Sequence, residues 1–240
     1  MLAQTQGIVL RAVKYSETSL ICDIFTKDWG LRTYIINGVR QAAPVIAPLL
    51  LKPASLLEFV AYHQPSKEIN RMKEAKAAKV YQQIPFAVTQ GAVALFACEL
   101  LQKMLKETPA SAELYDFLYQ FFVALDACQQ GVGNLPLIFM AQLAIYMGFS
   151  PDVQTYQPDS YFDYKNGIFL REQPTHLQHF NPPQSQLLID LLCTTPPAAA
   201  SLSLNKPVRA EMLDSMLDFY SFHLSGFSEL QSHKILQEVF

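Results

Sequence analysis

Cysteine is scarce in this chain, and its four copies lie far apart. Cys22, Cys98, Cys128 and Cys193 form no C-x-x-C pair. Structural zinc sites usually take their ligands from such close pairs, and disulfide frameworks are typical of small secreted domains. We therefore expect four reduced and mostly buried thiols, no metal site and no cofactor.

Long hydrophobic runs are also missing. The longest near-apolar stretch, Leu135 to Phe149, contains Gln142 and is shorter than the ~20 residues that a bilayer span needs. The first residues carry neither a basic segment nor an apolar signal core. These absences predict a cytoplasmic protein that makes no contact with a membrane.

No familiar catalytic motif is present. The sequence contains neither G-x-S-x-G nor H-E-x-x-H. His176 and His179 have the spacing of metal ligands, but Pro174 and Pro182 flank them, and a helical histidine pair needs an uninterrupted helix. The chain is therefore predicted to have no catalytic residue and not to be an enzyme.

Acidic residues are few in the first third of the chain. Up to Lys79 there are eleven basic and six acidic residues, a formal charge of +5. The remaining seven basic and fifteen acidic residues give −8. Such asymmetry indicates a polyanion as the partner of the first part.

The first eighty residues contain five runs that are typical of short strands, separated by turn signals. The runs are 7–13, 20–26, 31–36, 55–62 and a weaker one at 68–72. Three prolines between Gln41 and Pro53 indicate a connector rather than a central strand. Five such strands predict a small closed barrel, either of the oligonucleotide-binding (OB) type or SH3-like.

After Phe86 the apolar residues recur at helical spacing, up to Met104 and again after Ser111, which has the chemistry of an N-cap. Segment 135–147 is apolar nearly all round, as a central bundle helix is. Further helices are predicted at 184–193, 208–224 and 230–239, and a hairpin around Asn166-Gly167. The pattern predicts an α+β multidomain protein: a five-stranded barrel (1–80), then an all-α helical domain (81–240) with a small β-hairpin insert at about 161–170.

The basic barrel is the candidate functional surface. Cations neutralise phosphates and aromatic rings stack on bases, and single-strand binders combine the two. Arg32 and Tyr34 share one face of the third strand, although the pattern leaves open whether Tyr34 stacks on bases or packs in the barrel wall. The predicted DNA-binding residues are Arg11, Lys14, Lys27, Arg32, Tyr34, Arg40, Arg71 and Lys73.

Several short motifs occur in a fixed order along the chain. They are Gly7-Ile-Val-Leu10, YSETSLI from Tyr15, Gly38-Val-Arg40, YMGFSP from Tyr146 and SHKIL from Ser232. Each is short, but the ordered series extends over nearly the whole length. In this respect the sequence resembles the RecO family of bacterial recombination mediators.

The resemblance implies an N-terminal OB fold, a helical C-terminal domain and a role in DNA repair at the nucleoid. RecO-like proteins bind single- and double-stranded DNA, anneal complementary strands, bind the acidic tail of single-stranded DNA-binding protein (SSB) and, with RecR, help load RecA. For the tail we predict Lys103 and Lys106. The alternative is a protein-interaction adaptor whose barrel binds an acidic partner and not DNA.

One departure from the family concerns zinc. Many relatives carry a four-cysteine knuckle after the segment that matches Gly148 to Pro151. Here that region has no cysteine, and the aromatic hairpin at 161–170 follows instead. We expect the apolar side chains of this hairpin to hold the segment together in place of zinc.

Overall fold

The computed structural model describes residues 1–39, 46–106, 108–224, 227 and 230–240. The chain forms two compact units, Met1–Asp126 and Ala127–Phe240. Two helices therefore group with the barrel in the first unit. The functional boundary near residue 80 stays a prediction, because compactness by itself does not define a functional domain.

The first unit contains a closed five-stranded barrel. Its strands are β1 (Leu2–Lys14), β2 (Leu20–Thr26), β3 (Gly30–Ile36), β4 (Leu56–Tyr62) and β5 (Ile69–Ala77). They follow the order β1-β2-β3-β5-β4 around the barrel, and β3 and β5 are parallel while the other pairs are antiparallel. This arrangement confirms the OB-type barrel, and the SH3-like alternative is set aside.

The barrel interior is filled by alternate residues of the strands. Val9, Ile24, Tyr34 and Phe59 are almost completely buried, and the Tyr34 and Phe59 rings meet edge to face with centroids 5.1 Å apart. Gly7 permits this close packing, because a Cβ atom there would lie 2.5 Å from the Cγ2 atom of Ile24.

Two helices complete the first unit, α1 (Val88–Met104) and α2 (Ala112–Ala127). Helix α1 packs on β1, where Gln102 donates a 2.7 Å hydrogen bond to the Leu10 carbonyl. Ser111 caps α2 as predicted, since its hydroxyl accepts from the Leu114 amide at 3.1 Å. The segment before α1 is linked to the end of α2 by a buried carboxylate, because Asp126 accepts from the amides of residues 82–84.

The second unit is mainly helical. It contains α3 (Leu135–Tyr146), α4 (Pro182–Cys193), α5 (Lys206–His223) and α6 (Ser232–Val239). Helix α3 is buried on nearly every side and packs against α4 and α5, as its all-round apolar sequence predicts. In the described part of the chain, no helix is long and apolar enough to cross a membrane.

The predicted hairpin is present as β6 (Tyr161–Asp163) and β7 (Ile168–Leu170), and β8 (His179–Phe180) adds a third strand. Its aromatic side chains pack together: the Phe162 ring contacts the rings of Phe169 and Phe180 and also that of Phe219 in α5. Among the residues described, no three His, Cys, Asp or Glu side chains are grouped as metal ligands. That zinc is absent from the protein stays a prediction.

Candidate nucleic-acid interface

A row of paired residues crosses the outside of the barrel on five strands. The backbone pairing places Val13 beside Ile21, Ile21 beside Ile35, Ile35 beside Arg71, and Arg71 beside Tyr62. Directly paired residues project from the same side of a sheet, so these side chains are neighbours. Val13, Arg71 and Tyr62 are exposed, and the two isoleucines are half-buried. The row thus has an aliphatic centre, a cation and an exposed aromatic ring.

Further cations border this row. Arg11 lies on β1 opposite Asp23, with a guanidinium–carboxylate distance of 3.9 Å and a side chain that is 56% exposed. Asp23 also accepts a 2.8 Å hydrogen bond from the Thr33 hydroxyl, so Arg11 is not its only partner. Lys14 is exposed at the end of β1. Because it pairs with Leu20, which packs against the core, Lys14 projects from the other side of β1 and borders the row only at the strand end. We call the row together with Arg11 and Lys73 the barrel face.

The basic end of the barrel face contains a cavity of about 130 Å³, which Asn37, Tyr62, Arg71 and Lys73 line together with Ile36, Ile46 and Met72. Arg71 forms no ion pair within the described ranges, and Lys73 lies 3.8 Å from the exposed carboxylate of Glu74. Exposed ion pairs of this kind contribute little and are readily exchanged for another anion. Both cations are therefore available to a phosphate.

Two predicted DNA-binding residues lie elsewhere. Tyr34 is fully buried in the barrel core, so its ring offers no face to a base, and the wall-packing alternative is correct. Lys27 donates a 2.8 Å hydrogen bond to Asp116 of α2, and its ammonium group lies 5.6 Å from the Tyr115 ring centroid. Unlike Lys73, which lies 3.8 Å from its carboxylate, Lys27 would have to give up a 2.8 Å charge-assisted hydrogen bond to contact a phosphate, so it is a weaker candidate.

Arg32 does not belong to the barrel face, and its assignment to DNA binding stays a prediction. It shares the inner side of β3 with the buried Tyr34 and Ile36, and its Nε atom is buried. The side chain lies close enough to His63 for its charge to lower the pKa of that ring. Arg40 lies outside the described residues.

Tyr62 is the residue that the sequence reasoning missed. It is 47% exposed and stands next to Arg71. Strand alternation could have identified it, because Glu58, Val60 and Tyr62 share one face of β4, and a carboxylate requires that this face meets solvent. The aromatic component of the candidate site is therefore Tyr62 and not Tyr34.

The predicted tail-binding lysines lie at the end of α1, where Lys103 is half-buried and Lys106 is exposed. The same unit contains an apolar cavity of about 400 Å³ between the segment around Leu49 and the start of α1. Val80 and Phe86 line it and are among the most exposed apolar side chains of the chain. Lys52 and Lys79 also line it, and none of the described lining residues is acidic.

Comparisons with known proteins agree with the motif order. The family model for the N-terminal part of Recombination protein O matches residues 1–81, and the model for its C-terminal part matches residues 88–232. The chain is 30% identical over 241 residues to a DNA repair protein RecO of Bacteroides fragilis and 31% identical over 244 residues to that of Flavobacterium johnsoniae. Both alignments cover the full length of the chain and of the relative. The chain therefore belongs to the Recombination protein O (RecO) family, and this membership supports a role in DNA repair and recombination.

Proposed function

We propose that this protein is a recombination mediator that binds single- and double-stranded DNA through the barrel face and anneals complementary strands. The observation that carries the proposal is the combination of exposed Arg71 and Lys73 with the adjacent Tyr62 ring. Cations provide sequence-independent attraction to phosphates, and an exposed ring stacks on any base. Arg11 and Lys14 extend the basic surface along β1, and Arg40 remains a further candidate.

Annealing follows from the same contacts. Two complementary strands repel each other through their phosphates, and a protein that neutralises some of these charges lowers the barrier to pairing. No chemical step is required, so the mediator needs neither a catalytic residue nor a cofactor. We propose that it acts in the cytoplasm, at the nucleoid, together with RecR, and assists RecA loading on SSB-coated DNA.

We further propose that the acidic tail of SSB binds in the apolar cavity. Its apolar end would fill the space beside Val80 and Phe86, and its carboxylates would meet Lys52 and Lys79. Desolvating apolar side chains provides affinity, while the lysines select an acidic peptide. Lys103 and Lys106 remain the alternative: they carry the same charge as Lys52 and Lys79, but they do not line this apolar cavity.

The two lysine pairs can be compared directly with a fluorescent peptide of the tail. We expect K52E/K79E to weaken peptide binding by about tenfold or more, since both changes place like charges beside the acidic peptide. The matched variant K103E/K106E makes the same change in net charge and should bind nearly as the parent chain does. The reverse result would place the tail at the end of α1.

The function as a whole is tested by annealing of complementary strands coated with SSB. We expect the protein to accelerate annealing when SSB has its tail and to lose most of this effect when the tail is deleted. Annealing that survives the deletion unchanged would contradict the partner contact. Failure to bind any oligonucleotide at low salt would contradict DNA binding and favour an adaptor that binds an acidic protein.

A further inference from the structure

A compact group of aromatic and basic side chains lies at one end of the barrel, separate from the barrel face. The indole ring of Trp29, in the turn between β2 and β3, stacks on the imidazole ring of His63 with centroids 4.0 Å apart and planes 11° from parallel. His63 directly follows β4, and its carbonyl accepts a 3.0 Å hydrogen bond from the Met1 nitrogen. Arg32 of β3 is the nearby cation. We call these three side chains the barrel-end cluster.

The cluster contains polar atoms that lack partners. Arg32 Nε and His63 Nδ1 are buried, and neither has a hydrogen-bond partner in the part of the chain that the structure describes. The same is true of the Tyr34 hydroxyl, two residues along β3 from Arg32. Buried donors without partners are costly and rare, and they are expected where a ligand supplies the missing acceptor.

The charges around the cluster favour an anion. Burial, the Arg32 guanidinium and the amino group of Met1 all lower the pKa of His63 from its ordinary value, which favours the neutral ring. Within the described ranges, no carboxylate forms an ion pair with Arg32. Asp28, in the same turn as Trp29, accepts a hydrogen bond from Thr5 instead. The cluster therefore has unbalanced positive charge and, at Arg32 Nε, an unused donor.

We propose that the barrel-end cluster binds a phosphate group, and that His63 takes up a proton when it does so. Arg32 provides the permanent charge, and its planar fork of donors matches phosphate oxygens. His63, protonated from solvent, provides the second donor and stays oriented by its stack on Trp29. The proposal rests on the proposed DNA binding for the source of the phosphate, which is either a 5′-terminal phosphate or an internal phosphodiester.

Linkage gives this site a characteristic pH dependence. A bound anion favours the charged imidazole, so it raises the pKa of His63 from its lowered value in the free protein. Between the two pKa values one proton is taken up on binding, and phosphate affinity there rises by up to about tenfold for each unit of falling pH. Above both values the site keeps only the contribution of Arg32.

The chain offers a direct readout, because Trp29 is its single tryptophan. A protonated imidazole in contact with an indole quenches its fluorescence, so emission reports the protonation of His63. Emission is followed through the acidic range without ligand, with inorganic phosphate against chloride at equal ionic strength, and with oligonucleotides that carry a 5′-phosphate or a 5′-hydroxyl. We expect ligand to raise the midpoint by about one pH unit.

Two variants separate this effect from general quenching. His63→Gln should remove the transition in every arm. Arg32→Met should raise the midpoint of the ligand-free protein, because a repulsive charge is lost, and should also abolish most of the shift caused by ligand. A higher midpoint without ligand together with a smaller shift on adding ligand is not expected if Arg32 only maintains the fold.

These measurements distinguish failure of the phosphate site from failure of DNA binding. A shift with both oligonucleotides supports an internal phosphate as ligand, and a shift with the 5′-phosphate alone supports recognition of an end. A midpoint that neither phosphate nor oligonucleotide moves would overturn the site, even if anisotropy shows that DNA still binds to the barrel face. If no oligonucleotide binds by anisotropy, the proposed function fails, and the inorganic phosphate arm alone decides whether the site exists.

Discussion

The barrel face predicts how strongly single-strand binding depends on salt concentration. Each phosphate contact contributes about −0.7 to the slope of log affinity against log salt for single strands. Arg11, Arg71 and Lys73 are the exposed cations on this face, and Lys14 is exposed at the adjoining end of β1. Contacts from all four give a slope of about −2.8. Affinity should then fall roughly 50-fold between about 50 and about 200 mM salt.

Removing half of these cations should halve the slope. For R71A/K73A we expect a slope of about −1.4 and a loss of only about 7-fold over the same salt range, measured by fluorescence anisotropy with a labelled oligonucleotide. The control is K27A/K76A, which removes the same net charge. Lys27 and Lys76 are already paired with Asp116 and Glu58 at 2.8 Å, so their removal should leave the slope nearly unchanged.

The comparison between the two double variants can refute the reasoning. If the control flattens the slope as much as R71A/K73A does, the attraction comes from the overall charge of the unit and not from this face. If neither variant changes the slope although DNA binds, the contacts lie elsewhere. A slope near zero for the parent chain would mean that phosphates are not the main attraction.

Four further outcomes are expected. Tyr62→Ala should weaken single-strand binding by about fivefold or more, whereas Tyr62→Phe should bind normally, because stacking needs the ring and not the hydroxyl. Asp126→Ala leaves the amides of residues 82–84 without their acceptor and should lower the free energy of unfolding by about 3 kcal/mol, while Asp116→Ala, in an exposed pair, should cost under about 1 kcal/mol in denaturant titrations. A thiol reagent should modify only the exposed Cys193 in the native protein, since burial raises the pKa of Cys98 to about 12 and the other two thiols are also buried. Rapid modification of more than one thiol in the native protein would contradict this. Elemental analysis should find no stoichiometric zinc.

Much of the fold could be read from local patterns. The five strands, the Ser111 cap, the central helix and the aromatic hairpin were all predicted, because hydrophobic period, turn residues and capping chemistry act within a few residues of the chain. The ordered motifs also led to the correct family. The fifth strand had the weakest local signal, and its end was misplaced: the predicted strand stops at residue 72, whereas β5 continues to Ala77.

The site could be predicted only in part. Composition identified the first third as basic, and Arg11, Lys14, Arg71 and Lys73 do lie exposed on one barrel. Tyr34 and Lys27 could not be judged from the sequence, because an aromatic residue suits both faces of a strand and a lysine can pair with a distant acid. Lys27 and Asp116 are 89 residues apart, and no local pattern reports such a contact.

The sequence by itself determined most of the secondary structure, the charge division and the family of this protein, because each of these depends on neighbouring residues or on their order. Only the tertiary structure decided which cations are free, since pairing depends on what the fold brings together. It also closed the barrel through the parallel contact of β3 with β5, which places Arg71 beside Tyr62 on the outside and leaves Arg32 with Trp29 and His63 at one end of the barrel. Strand register and barrel closure depend on residues far apart in the sequence. They distribute the basic residues of the first third between the barrel face and the barrel-end cluster.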